Sequence, residues 1–251
     1  SHKHQQLVEQ VRQMHYNGTV HEKFHRHSVG GYLKDFVYGA NDGIITTFAV
    51  VAGVAGANLS SQVVLILGFA SLLADGFSMA MSNYLGEKSN RDYVAAEQAR
   101  EEWEVTNLPH EERQEIYKLY ERKGFSGALL NQVVNVITAN KKLWVNEMMI
   151  GEHGLIPNYD YKSPWRNAAV TFGSFVVTGL VPLMPYVVGE GSREIFPYAV
   201  AATASILFVV GSLRTFITQK NWWISGLEML VVGAVAAAVA YGVGSLLASW
   251  A

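Results

Sequence analysis

The chain is 251 residues long, 50 % of them hydrophobic, with no cysteine and a formal charge of −2. It therefore has no disulfide framework and no thiolate metal site, and a charge so close to neutral gives no footing for nucleic acid. The mean hydropathy of +0.14 averages two unlike populations: long apolar runs, and a strongly polar middle from Glu87 to Arg166.

Residues 1–30 are polar and hold His2, His4, His15, His21, His25 and His27. With no apolar stretch of the kind a secretory leader needs, they are expected not to be a signal peptide. Histidine tracts bind metals, but this spacing is irregular. A disordered or amphipathic cytoplasmic arm and a metal-binding segment both stand as readings.

Residues 31–86 carry the first two membrane spans, Asp35–Ala57 and Gln62–Gly86. Each exceeds the about 20 residues needed to cross a hydrocarbon core of about 30 Å. Each also contains an aspartate, Asp42 and Asp75. An ionisable side chain near the bilayer centre costs roughly 2.5–3.5 kcal/mol on insertion scales and marks an ion or proton pathway by default. Asp35 and Asp42 share a helix face, with Thr46 one turn further; Ser71, Asp75 and Met79 form a second stripe at i, i+4 spacing. A carboxylate stripe facing a carboxylate–thioether stripe suits a divalent transition metal. Gly39, Ala40, Gly43, Ala49, Ala52, Gly53 and Gly56 permit close helix approach, as a narrow pathway or a dimer seam requires. The alternative is that Asp42 merely caps or hydrogen-bonds a neighbouring helix.

Residues 87–164 read as a cytoplasmic, helical, metal-binding insert. Glu87 to Glu104 has no Gly or Pro and extends the second span. Pro109 opens a helix that runs to Lys123 and ends at Gly124. A second helix covers Ser126 to about Ala139, with apolar Leu129, Leu130, Val133, Val134, Val136 and Ile137. A third runs from Lys141 to His153, stopped by Gly154 and Pro157. Glu97, Glu101 and Glu104 share one face, Glu112 and Glu115 another beside Glu111, and Met148, Met149 and Glu152 form a third group. Like charges on one face repel, and a bound cation relieves them; a solvated acidic face is the plainer reading. The thioethers favour Fe²⁺, Mn²⁺ or Co²⁺ over Ca²⁺ or Mg²⁺, unless both methionines are core filler.

Residues 165–251 hold three more spans, Ala168–Val188, Phe196–Thr218 and Trp222–Trp250. Pro182 and Pro185 must interrupt the first of these, and a helix broken at membrane depth is tolerated where it lines a cavity or is re-satisfied by neighbours. Met184 between them is a further soft donor. Glu228, six residues into the last span, reads as an interfacial acid. Trp165, Trp222, Trp223 and Trp250 fall at span ends, as interfacial indoles do. Eighteen of the nineteen lysines and arginines lie on one side of a five-span topology, with Arg193 alone opposite. The positive-inside rule then places the N-terminus and the insert in the cytoplasm. A soluble protein with buried helices is hard to reconcile with five such runs.

Taken together, Gly39-Ala-Asn-Asp-Gly43, Ala74-Asp-Gly-Phe-Ser-Met-Ala80, Ser82-Asn-Tyr-Leu85, the Glu-rich insert, Trp144-Val-Asn-Glu-Met-Met149 with Glu152, and the Pro182/Pro185 pair resemble the vacuolar iron transporter family. The likeness covers nearly all of the chain after Gly30. It implies a homodimeric five-span carrier that moves Fe²⁺, and often Mn²⁺, out of the cytosol in exchange for protons; a vacuolar-type membrane follows from the family name, and a bacterial inner membrane fits the same topology equally well. It implies that Asp42 and Met79 handle metal in the translocation path. Glu101, Glu104, Glu112, Glu115, Met148, Met149 and Glu152 would be the ligands of the cytoplasmic domain. Plant members carry a glutamate eight residues before the methionine, where this chain has Ser71; Asp75, one turn later, is a candidate to replace it. Co²⁺ and Zn²⁺ suit the same donors.

The expectation is therefore an all-α, five-span metal/proton antiporter without prosthetic group, and not an enzyme. No Ser/His/Asp arrangement or phosphate-cradling loop after a strand is evident. The rival class is a membrane-anchored iron sensor or storage-associated protein that binds metal without moving it.

Overall fold

The computed structural model describes residues 9, 12–13, 27–156, 163–189, 195–215 and 220–250, with side chains in its first helix from residue 32 onward. The reading of the N-terminal histidines lies outside the described residues and side chains. Among the described residues there are helices and no strand. In chain order they are α1 (His27–Gly56), α2 (Ser61–Asn107), α3 (Pro109–Arg122), α4 (Gly127–Thr138), α5 (Lys141–Gly151) and α6 (Pro164–Gly179). A 3₁₀ turn (Val181–Leu183) follows, then α7 (Met184–Val188), α8 (Ile195–Leu213) and α9 (Trp222–Ala248). The chain divides into two compact units, Ser1–Ser82 with Trp165–Ala251, and Asn83–Pro164.

Five segments of these helices are long and apolar enough to cross a membrane: Tyr32–Gly56, Ser61–Asn107, Pro164–Val188, Ile195–Leu213 and Trp222–Ala248. Helices are the form such runs must take, since lipid offers no partner for an open backbone group. The second does not stop at the membrane-length mark. It continues unbroken into the polar sequence as far as Asn107, as the absence of Gly and Pro after Glu87 predicts. The third breaks as its prolines require: α6 ends at Gly179, the 3₁₀ turn carries Pro182, and α7 restarts at Met184. Pro182 and Leu183 are buried, whereas Met184 is exposed.

In the first unit α1 is the hub, packing against α9, α8 and the 3₁₀ turn. Its glycines make these approaches possible. A Cβ on Gly43 would overlap the Phe175 carbonyl, and one on Gly56 would overlap the Tyr241 carbonyl. Gly244 of α9 lies equally close to the Gly53 carbonyl. The small-residue faces of α1 thus make close contacts within one chain. The core they enclose includes Phe48, Val51, Leu72, Phe175 and Leu183. The opposite face of α9 remains apolar and open, with Val235 at 60 % and Val239 at 61 % exposure, a surface that suits lipid better than water.

The second unit builds its own core from Val94, Val105, Ile116, Leu130, Val134, Ile137, Trp144, Val145, Met148 and Met149. In α4 the buried residues Leu130, Val134 and Ile137 recur at i, i+4, i+7, while Leu129 and Val136 of the same apolar run face outward. Asn140 caps α5, accepting the Leu143 N–H at 3.2 Å. The helix ends at Gly151, two residues short of the expected His153. Gly154, at φ +66°, turns the chain so that the Leu155 N–H donates to the Met149 carbonyl at 2.9 Å. Glu152 is the C-cap, its N–H donating to the Met148 carbonyl at 2.9 Å, and the turn carries His153 out of the helix.

Candidate metal site

Three elements of the second unit converge on one group of acids. From α2 come Glu101 and Glu104, from α3 Glu112 and Glu115, and from the end of α5 Glu152 and His153. Glu101, Glu104 and Glu112 each place a carboxylate oxygen within 4.8 Å of the other two. Glu101, Glu152 and His153 do the same, so Glu101 belongs to both sets. It is 2 % exposed. One of its oxygens meets His153 Nε2 at 2.7 Å; the other is buried without a hydrogen-bond partner, as is one oxygen of Glu112. Glu115 completes the group through a hydrogen bond with Glu152.

A buried carboxylate oxygen without a donor is costly, and several carboxylates sharing a site push one another toward the protonated form. The titration of the site follows. Burial, and then the charges of Glu115, Glu101, Glu104 and Glu152, lift Glu112 to about 7. Burial and Glu152 also raise Glu115. His153 is raised chiefly by its hydrogen bond to Glu101, against an opposing effect of burial. The group is thus one acid-rich pocket that gains from a positive charge, whether a proton or a metal ion.

The methionines of the WVNEMM motif divide in position. Both are buried in the core of the unit, but Met148 also lines a cavity of about 380 Å³ shared with Glu115 and Glu152. Glu147, between the two groups in sequence, is engaged elsewhere: the Tyr120 hydroxyl donates to it at 2.8 Å. Glu97 pairs with Arg100 at 3.6 Å.

Sequence reasoning missed His153, which had no visible partner because Glu101 stands 52 residues away. The one available signal was its place directly after Glu152, before a glycine able to turn the chain.

The membrane-embedded group lies in the first unit. Asp42 accepts a hydrogen bond from Thr46 and is within electrostatic reach of Asp75. Ser71 Oγ donates to the Asp75 carboxylate, and Met79 packs at the margin of the core. Of the two stripes, Asp42 on α1 and Asp75 on α2 are thus near enough to interact. In a single chain Asp42 and Asp75 are both exposed, whereas Asp35 is buried, so the two aspartates of α1 occupy different environments. Glu228 forms an ion pair with Arg214 at 3.7 Å, consistent with an acid at a span end.

The sequence profile of the VIT family matches residues 33–245. The vacuolar iron transporter of Toxoplasma gondii is 38 % identical over 235 residues, covering 90 % of this chain and 78 % of that protein. The vacuolar iron transporter of Plasmodium falciparum is 34 % identical, with coverage of 86 % and 82 %. Vacuolar iron transporter 1 of Eucalyptus grandis is 31 % identical, with coverage of 95 % and 91 %. The match extends over the spans and the acid-rich unit alike, and the chain belongs to the VIT family of vacuolar iron transporters.

Proposed function

We propose that this chain is a multi-pass membrane carrier that exports divalent transition metal, Fe²⁺ and also Mn²⁺, from the cytosol in exchange for protons. The destination is a vacuole or the cell exterior. The names of its relatives support iron as cargo. The observation that carries the reading is the pair of buried, unpartnered carboxylate oxygens on Glu101 and Glu112 inside a cluster of acids. Packed side chains rarely leave such groups unsatisfied, and a passing cation would satisfy them.

In this scheme Glu101, Glu104, Glu112, Glu115 and Glu152 gather the cation, with Met148 and Met149 as soft donors behind them. Asp42, Asp75 and Met79 carry it across. Metal binding requires deprotonated carboxylates and so releases protons. Protonation of the same oxygens on the acidic side discharges the metal, and that competition alone couples the two fluxes. The distribution of basic residues supports a cytoplasmic N-terminus and acid-rich unit. Intramembrane acids almost always face protein or water rather than lipid. The exposure of Asp42 and Asp75 in a single chain therefore supports a homodimer in which a second copy shields them.

Fe²⁺ uptake into proteoliposomes under an imposed pH gradient, with luminal metal and luminal pH read together, tests the proposal. Metal entry coupled to luminal alkalinisation is the expected result. Tight binding without flux would instead identify a membrane-bound sensor.

A further inference from the structure

We propose that His153 is itself a metal ligand, supplying an imidazole nitrogen beside the Glu101 and Glu152 carboxylates, and that this nitrogen determines which divalent metals the site prefers. The inference rests on the reading of the acid cluster as a metal site and deepens it.

The geometry is already close to that of a coordination shell. His153 Nε2 and Glu101 Oε1 stand 2.7 Å apart, and a Glu152 oxygen joins them within 4.8 Å. Ligand atoms each about 2.0–2.2 Å from one ion lie roughly 3 Å from each other, so a cation would be held if His153 and Glu101 part slightly and Glu152 closes in. The second oxygen of Glu101 is buried and has no hydrogen-bond partner, so His153 alone does not satisfy this carboxylate. The position of His153 is set by the backbone, not by a flexible tail. Gly154 at φ +66° and the Leu155–Met149 hydrogen bond fix the turn that presents it, and its side chain is 25 % exposed.

One nitrogen donor changes the preference of an otherwise oxygen-rich site. Carboxylates alone suit Mn²⁺, Mg²⁺ and Ca²⁺, whereas imidazole suits Zn²⁺ and Fe²⁺. With His153 in the shell, the site should favour Zn²⁺ over Mn²⁺ by a wider margin than its acids would give. If His153 only pairs with Glu101, its loss should change the affinities for all metals in parallel.

Full-length protein in nanodiscs is titrated with Zn²⁺ and with Mn²⁺, comparing the parent with His153→Leu and His153→Gln. The nitrogen modulation of the electron spin echo of bound Mn²⁺ is recorded on the same samples. The expected result is a fall of about tenfold in the Zn²⁺/Mn²⁺ affinity ratio, the lower end of what changes around a metal shell produce, with loss of the nitrogen modulation in both variants. The His153→Gln variant keeps a hydrogen-bonding group near Glu101 but offers no imidazole. A parallel loss for both metals, an unchanged ratio, or restoration of the parental ratio by His153→Gln would overturn the proposal. Glu112→Gln with Glu115→Gln separates the two levels: unchanged binding there rejects the acid cluster as a metal site, whereas reduced binding there with an unchanged ratio in His153→Leu rejects His153 alone.

Discussion

Glu101 and Glu112 rise from different helices to bring carboxylate oxygens within 4.8 Å of each other, and each has a buried oxygen with no hydrogen-bond partner. The packing of the unit holds these charges together against their repulsion, so whatever neutralises one of them should stabilise the fold. Glu112→Gln is expected to raise the melting temperature of metal-free protein by about 2–4 °C, the shift that 1 kcal/mol gives a chain of this size, and to weaken metal binding at the same time. A metal-free variant that melts below the parent would mean that Glu112 is not a source of net repulsion.

The pH profile follows from the same group. Glu112 titrates near 7 when folded, against 4.5 ordinarily. Between those values the folded chain holds more protons than the unfolded one, so the stability of metal-free protein falls as pH rises through this window. Glu115 is shifted in the same direction. His153 is also raised, chiefly by its hydrogen bond to Glu101, so the stability it contributes when protonated is likewise lost as pH rises. Metal competes with these protons, and its affinity should strengthen over the range in which the metal-free fold weakens. Melting curves at about pH 5.5, 6.5 and 7.5 (values spanning the titration of these groups), with and without Mn²⁺, should diverge steadily. Parallel curves would refute the coupling.

The two adjacent methionines should separate in their effects. Met149 is fully buried in the core, while Met148 both packs there and lines the cavity with Glu115 and Glu152. Exchange for leucine conserves volume and should cost less than about 1.5 kcal/mol at either site. Met148→Leu is expected to weaken Co²⁺ binding about three- to tenfold through loss of the thioether, with a smaller change for Met149→Leu. Equal isotherms for both variants and the parent would remove sulfur from the site.

Much of this organisation can be read directly in the sequence because it is set by local rules. Run length gives the five membrane-length helices. The Pro182/Pro185 pair gives the break in the third, and the absence of Gly and Pro after Glu87 gives the single helix to Asn107. The i, i+4 stripes on α1 and α2 likewise group Asp42 with Thr46, and Ser71 with Asp75. What the sequence leaves open depends on contacts between distant segments. Helical spacing groups Glu152 with Met148 and Met149, but it does not reveal that Glu147 is engaged by Tyr120. Nor does it join His153 to Glu101, because that contact depends on a helix ending at Gly151 and a turn at Gly154. The glycines of α1 read as a seam of unknown partner, and only the packing against Phe175 and Tyr241 shows that they serve contacts within the chain.

Gly43 should be among the least replaceable positions in the first unit. Any Cβ there meets the Phe175 carbonyl, a backbone group that cannot swing aside, so Gly43→Ala is expected to cost about 1–3 kcal/mol through overpacking. At Gly86 the space a methyl group would enter is open, with no atom within 4 Å, and Gly86→Ala should be neutral or stabilising by up to about 1 kcal/mol through helix propensity. Thermal melts in detergent compare the two variants directly. Equal melting temperatures would mean that α1 and α6 can separate freely.

Asp42 and Asp75 provide the test of the transport path. They lie on different helices within electrostatic reach of each other, with Thr46 and Ser71 as their respective hydrogen-bond donors. If both acids hold one cation during its passage, Asp42→Asn should reduce Fe²⁺ flux in proteoliposomes to background while the acid cluster of the second unit still binds metal in detergent. Asp75→Asn should act in the same way. Because groups that work as a unit are not additive, the double variant should transport no less than either single one. Two partial defects that multiply in the double variant would instead place the aspartates at separate steps. Parental flux in Asp42→Asn would exclude it from the path.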